Sequence, residues 1–186
     1  MKIILASKSP RRRQLVEALG YEVRCVDVEV NETIRGDVGI EEVAETLALR
    51  KSEAYRQTIG DDEVLLTADT VVVVGGKVVG KPKNEEEAYE MLENLSGHEH
   101  VVYTGVCLRS STKRVSFTEK TNVHFRKLTH EEICSSIKTD NPFDKAGAYG
   151  IQERIGMIGI DRIDGDYYNV MGLPVCRTYC EILKLL

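Results

Sequence analysis

Val64-Leu65-Leu66-Thr67-Ala68-Asp69-Thr70-Val71-Val72-Val73-Val74-Gly75-Gly76-Lys77-Val78-Val79 reads as a long buried strand, a two-residue turn and a short return strand. The β-branched run suits a pleated, packed surface. The two consecutive glycines supply the positive φ angles that a tight hairpin requires. One residue breaks the pattern. A carboxylate at Asp69, inside an otherwise apolar strand, is costly unless a cation or a metal meets it. Pointing into a cleft at a strand edge, it would serve as a metal ligand or as the base for a water. The plainer alternative is an acid at a bulge, hydrogen-bonded to Thr70.

Upstream, Lys2 to Leu5 reads as a short buried strand, and Ser7 or Ser9 followed by Pro10 is a helix start with Leu15, Val16 and Leu19 on one face and Gly20 after it. Tyr21 to Val30 alternates loosely as a strand, and the polar stretch from Asn31 to Gly39 follows as a loop. From Ile40 to about Gln57 the apolar spacing is helical, with acids early and bases late as the helix dipole favours, and Lys51 falls in its last third.

Downstream, Asn84 with Glu87 has the spacing of a capping box opening a helix that runs to Gly97, and Thr129 with Glu132 repeats it. Strands are expected around Val101 to Leu108 and Val115 to Phe125. The segment from Asp140 to Gln152 reads as a long glycine-rich loop, followed by a strand, a turn at Asp164-Gly165 and a helix from Pro174 onward. Helices and strands interleave and include hairpin-like pairs, so the expected class is α/β with a mixed sheet. With 186 residues and no internal repeat or linker, a single domain is expected.

The net charge of -5 argues against a general nucleic-acid binder, so any anion site must be local. No apolar run approaches a membrane span, and the opening residues turn strongly charged too soon for a signal peptide. The five cysteines are odd in number, scattered and without a C-x-x-C pair, which suits a reducing cytoplasm better than a disulfide framework or a zinc site. Cys176 and Cys180, one helical turn apart, read as helix-face residues. None of the four histidines has zinc-ligand spacing, and they read as structural or surface residues.

Four groups of residues carry chemical information. Ser7-Lys8-Ser9-Pro10-Arg11-Arg12-Arg13 places arginines at a strand-to-helix junction, where free N-H groups already favour an anion and bases are otherwise out of place. Asp69 is the second. Glu32, Lys51 and Lys81 are dispersed charges, each ordinary alone, that supply the carboxylate and cations phosphoanhydride cleavage needs if they converge. The stretches 144–152 and 165–174 combine close glycines with Tyr and Gln side chains suited to a base or sugar. There is no Walker pattern, nucleophile elbow or dinucleotide fingerprint.

Taken in order, LASKSPRRRQL, ADTVV, GKP, LSGHEH with Thr104-Gly105, DKAGAYGIQ and YYNVMGLP resemble the Maf family of nucleotide pyrophosphatases across nearly the whole chain. The resemblance implies an elongated mixed β-sheet flanked by helices with a central cleft, related to the inosine triphosphate pyrophosphatases and often dimeric. It implies that Asp69 is the essential acid described as proton acceptor, and that Glu32, Lys51 and Lys81 are charged positions of the active cleft. Ser7, Arg11 and Arg12 match the SPRR region, and Arg12, Thr70 and Gln152 match positions tied to base preference in the branch acting on dTTP and UTP. A divalent cation, Mg²⁺ or Mn²⁺, would be held by Glu32 and Asp69, with Asp69 serving either as metal ligand or as the group that orients the water. The alternatives are a house-cleaning enzyme for other non-standard nucleotides and a non-catalytic nucleotide binder linked to septum formation.

Overall fold

The computed structural model describes residues 1–34 and 38–185. The middle of the loop expected between Asn31 and Gly39 therefore lies outside the described residues. Seven strands, β1 (Lys2–Ala6), β2 (Glu22–Val26), β3 (Glu63–Val74), β4 (Lys77–Val79), β5 (Glu99–Arg109), β6 (Arg114–Phe125) and β7 (Ile160–Asp164), form one mixed sheet in the order β2-β1-β3-β5-β6-β7, with β4 paired to β3. The α/β expectation holds. The chain gathers into two compact units, one made of Met1–Thr70, Thr104–Glu119 and the stretch from Gly172 onward, the other of Val71–Tyr103 and Lys120–Met171.

In the first unit, β1 (Lys2–Ala6) pairs in parallel with β2 (Glu22–Val26) and with the start of β3 (Glu63–Val74). Flanked on both sides, β1 is buried from Ile3 to Ala6, which explains its uninterrupted apolar sequence. The helix α1 (Pro10–Ala18) makes the crossover from β1 to β2. Its N-cap is Ser9, whose hydroxyl accepts from Arg12 N, and Pro10 sits at the first turn. The expected second strand stops at Val26, four residues short of Val30.

A 3-10 turn at Ile40–Glu42 leads into α2 (Val43–Ala54), which ends where Tyr55 becomes extended. The last helix, α7 (Val175–Leu185), also belongs to this unit and carries Cys176 and Cys180 on its exposed surface.

In the second unit, β3 turns through Gly75 (φ 55°) and Gly76 (φ 76°) into β4 (Lys77–Val79), with Val74 opposite Lys77. Both positive angles fit the expected hairpin turn. The helix α3 (Glu85–Leu95) is capped by Asn84, but Glu87 reaches back to Lys83 N rather than to the N-cap amide, so the reciprocal half of the box is displaced by one residue. At α4 (His130–Asp140) the Thr129–Glu132 box is complete.

The core of this unit packs Leu92 and Leu95 of α3 and Ile133 of α4 with Ile155 and with Phe125 of β6. Here β5 is Glu99–Arg109 and β6 is Arg114–Phe125, and β6 pairs antiparallel with β7 (Ile160–Asp164).

Two short helices are unexpected from the sequence: α5 (Arg154–Gly159) falls in the stretch read as strand, and α6 (Tyr167–Met171) falls between the Asp164-Gly165 turn and the helix expected from Pro174. No local side chain caps α5. Its Ile155 amide instead donates to Asp140 Oδ2, fifteen residues earlier. Gly156 and Gly159, which look like loop residues, are close-packing positions, where a Cβ would lie 2.3 Å from Ile151 O and 2.9 Å from Phe125 Cδ1 respectively.

Candidate active site

Asp69 and Thr70 are the only interior positions of β3 that are not fully buried. The cation that Asp69 requires is Lys51, whose Nζ lies 2.5 Å from Asp69 Oδ1 and 3.0 Å from Glu32 Oε1. The Lys51 and Asp69 side chains are 15% and 16% exposed, so their attraction is only weakly screened, whereas Glu32 stands in solvent at 64%. Two carboxylates thus converge on one ammonium.

The placement of Lys51 follows from how α2 docks. At Gly105 of β5 the helix backbone approaches so closely that an added Cβ would sit 2.1 Å from Glu45 N and 2.2 Å from Ala44 C. Only glycine allows that contact. One turn further, the buried Thr67 hydroxyl donates to Ala48 O at 2.7 Å. Ser116 and Thr118 of β6 donate to the two oxygens of Glu45. These contacts fix the register of α2 against the strands, and Lys51 is the residue that this register delivers to Asp69. The next residue back, Arg50, donates to Asn31 O and Thr33 O and so holds the loop that presents Glu32.

A second network surrounds Arg12. Its Nε donates to Gly172 O at 2.7 Å, Nη2 donates to Thr70 Oγ1 at 3.0 Å, and Nη1 donates to Ser7 Oγ at 3.3 Å. Thr70 Oγ1 in turn lies 2.9 Å from Thr104 Oγ1. Burial lowers the pKa of Arg12, the charges of Asp69 and Glu32 oppose that shift, and Arg11 adds to it. The guanidinium stays cationic at any ordinary pH. Three of its five N-H donors are spent on this framework, so it organises Thr70 beside Asp69 as well as carrying charge.

Lys81 and Gln152 belong to the second unit. Lys81 is exposed, between Gly80, whose carbonyl accepts from Gly147 N at 3.0 Å, and the buried Pro82. Gln152 Nε2 donates to Glu153 Oε1 at 3.0 Å. A carboxylate can only accept, so the amide nitrogen must face it and Oε1 must face away. Gln152 Oε1 is buried without a hydrogen-bond partner among the described residues. Glu153 also lies 3.8 Å from the ammonium of Lys145, which is 6% exposed and bonds to Asp140 O, Asn141 O and Asp144 Oδ1.

The expected residues therefore assemble as two linked groups in the first unit, Ser7–Arg12–Thr70 and Glu32–Lys51–Asp69, with Lys81 and Gln152 in the second. Sequence reading gave Thr104 and Gly172 no role of their own. Thr104 gave no local signal, since threonine is an ordinary strand residue. Tyrosine in the 144–152 stretch was expected to face a ligand, but Tyr149 is buried and its hydroxyl lies 2.7 Å from His100 Nε2.

Among the described residues no three His, Cys, Asp or Glu side chains form a metal cage. The donor set suits a different kind of site. A Mg²⁺-type ion commonly takes one or two carboxylates and completes its shell with water and substrate phosphates. Glu32 and Asp69, already sharing one cation, match that pattern.

An α/β protein with an acid in the middle of a sheet strand, a half-buried lysine brought to it by a helix, and a half-buried arginine at a helix N-terminus belongs to the class suited to binding a polyanion. The chain belongs to the Maf family, since the model for "Maf-like protein" matches residues 2–185. Among curated relatives, it is 50% identical to the dTTP/UTP pyrophosphatase of Phocaeicola vulgatus, over 99% of this chain and 96% of that one. It is 47% identical to the protein of the same name from Bacteroides thetaiotaomicron, again over 99% and 96%. The dTTP/UTP pyrophosphatase of Bacillus cereus is 46% identical over 97% of this chain and 94% of its own.

Proposed function

We propose that this chain is a metal-dependent nucleoside triphosphate pyrophosphatase that hydrolyses dTTP and UTP, and modified pyrimidine nucleotides of the same shape, to the monophosphate and pyrophosphate. The observation that carries the reading is the Glu32–Lys51–Asp69 cluster in a Maf chain whose curated relatives are named dTTP/UTP pyrophosphatase. The family model runs without interruption through both compact units, which supports treating the chain as one functional domain.

In this reading a water oxygen forms a bond to the α-phosphorus, the bond from that phosphorus to the α,β-bridging oxygen breaks, and pyrophosphate departs. Asp69 orients the water and takes up its proton. Lys51 holds Asp69 in place, and its charge, with those of Arg11, Arg12 and Lys81, offsets the phosphate charges. Glu32 and Asp69 would hold the divalent ion, which when bound supplies Lewis-acid neutralisation of the phosphate oxygens. Thr70, fixed by Arg12, and Gln152 are the base-selecting groups. The buried acceptor at Gln152 Oε1 is of the type that the N3-H of thymine or uracil would satisfy.

The test is to incubate the purified chain and Mn²⁺ or Mg²⁺ with dTTP, UTP, CTP, GTP and 7-methyl-GTP and to identify the products. Monophosphate and pyrophosphate, with dTTP and UTP preferred, is the expected result. Inorganic phosphate with a nucleoside diphosphate would contradict the bond assignment, and nucleotide binding without turnover in the presence of metal would contradict the enzyme.

A further inference from the structure

The geometry points to His100 as a positioning residue for Lys81 and Gln152, acting through the phenol of Tyr149 and the left-handed residues Gly147 and Ala148. The role assigned to Lys81 and Gln152 rests on the pyrophosphatase reading above, and every contact in the argument lies within the second unit.

Tyr149 is 5% exposed and His100 is 2% exposed. The phenol ring stands edge-on to Phe125 (centroids 5.1 Å apart, 88°) and to His100 (5.4 Å, 85°), which orients the ring. The His100 Nε2 contact then fixes its hydroxyl. Burial raises the pKa of the phenol and lowers that of the imidazole, so both partners are neutral and joined by one hydrogen bond. That bond comes with a cost, because His100 Nδ1 is buried without a hydrogen-bond partner among the described residues. Two apolar rings would fill the same space without it. A polar pair kept on such terms specifies a position rather than merely filling a core.

What the pair fixes is written in the adjoining backbone. Ala148 has φ 64°, a left-handed conformation that crowds its Cβ against the following carbonyl and is rare outside glycine. Such a residue persists only where its surroundings over-determine it. On one side, Lys145 ties the chain to the end of α4, and Gly147 N donates to Gly80 O. On the other side the first anchor is the Tyr149 hydroxyl. Both candidate ligand residues depend on this segment. Lys81 directly follows Gly80, and Gln152 folds back over Gly150, where a Cβ would meet its Nε2 at 2.8 Å. Release of the Tyr149 hydroxyl would let Ala148 leave the left-handed region, and Lys81 and Gln152 would lose their shared frame.

The test compares wild type with Tyr149→Phe, Ala148→Gly and the double variant, since Phe keeps the ring and removes only the bond. For Tyr149→Phe the expected result is a KM for dTTP raised about tenfold, the size of one lost hydrogen bond, with kcat within about twofold and a smaller preference for dTTP over CTP. Adding Ala148→Gly, which makes the left-handed conformation cheap, returns KM and preference toward wild type. The second readout is amide hydrogen exchange at Gly147, expected to be at least about tenfold faster in Tyr149→Phe and slowed again in the double variant. A lower melting temperature with unchanged KM, preference and exchange would overturn the inference, and so would a KM defect that glycine at 148 does not repair. The exchange readout stands by itself. If wild type releases no pyrophosphate from any triphosphate, the pyrophosphatase reading fails, while the anchoring of the segment by His100 still stands or falls on Gly147.

Discussion

Lys51 Nζ, carried on helix α2, stands 2.5 Å from Asp69 Oδ1, in the middle of a strand whose other interior residues, apart from Thr70, are buried. An ionised carboxylate there would be uncompensated without it, and a lysine on that face of α2 would be equally so without the acid. The proposed chemistry and the stability of the fold therefore meet in this pair.

Asp69→Asn keeps the shape of the side chain and removes its charge. Turnover of dTTP is expected to fall on the order of a hundredfold or more with the fold intact. Steady-state kinetics together with circular dichroism checks this, and near-normal turnover would refute the assignment.

Lys51→Met strands a mostly buried carboxylate. Because both groups keep about one-sixth of their side-chain exposure, the cost is discounted from that of a fully buried pair to about 1–3 kcal/mol. Adding Asp69→Asn should return part of that loss. A double-mutant cycle by urea denaturation measures the coupling, and strict additivity of the two changes would show that the pair contributes nothing.

Metal dependence isolates Glu32. Chelation should abolish turnover and added Mn²⁺ or Mg²⁺ should restore it. Glu32→Gln should raise the metal concentration for half-maximal rate about tenfold, as expected when one charged ligand of a two-carboxylate site is lost. A metal titration that does not shift in this variant would remove Glu32 from the site.

Gly105→Ala places a Cβ against the backbone of Ala44 and Glu45, which cannot swing aside as a flexible side chain could. Destabilisation of about 3 kcal/mol or more is expected, at the upper end of overpacking, with a loss of activity as α2 and Lys51 shift. Gly80→Ala, which meets nothing within 4 Å, is the stability control. Equal denaturation midpoints for the two variants would contradict the docking argument.

Acid should weaken the fold in two stages. Burial lowers the His100 pKa from 6.5 to about 4, so between those values the unfolded chain binds a proton that the folded chain refuses. Stability then falls as pH drops from about 6.5 to about 4, by on the order of 3 kcal/mol in total, and this loss levels off below. Hydrogen bonding to Arg126 and to the Thr129 amide holds the Glu132 carboxyl down to about 2. Its contribution is present above 4.5 and is lost as pH falls through 2. Chemical denaturation between pH 7 and pH 4.5 should show a declining midpoint, flattened in His100→Asn. A flat wild-type profile would contradict a buried neutral imidazole.

The sequence by itself determined what depends on neighbours along the chain. The apolar runs, the Gly75-Gly76 turn and the Thr129 capping box are short-range choices of backbone and side chain, and they stand where they were expected. The wrong charge in a strand at Asp69 was legible for the same reason, since desolvating a carboxylate is unfavourable wherever it happens. What only the tertiary structure decided depends on partners far away in sequence. Lys51 could be named as a candidate cation, but its meeting with Asp69 could not be read, because that register is set by Gly105 on β5 and Thr67 on β3, far from Lys51 in sequence. Arg12 looked like a free phosphate clamp until Gly172, 160 residues on, took one of its donors. The helix α5 was hidden because its acceptor is Asp140, and Tyr149 looked like a ligand contact because nothing near it in sequence names His100. Local propensity is a sum over adjacent residues, whereas a buried polar group is satisfied by whatever the folded chain brings within about 3 Å of it.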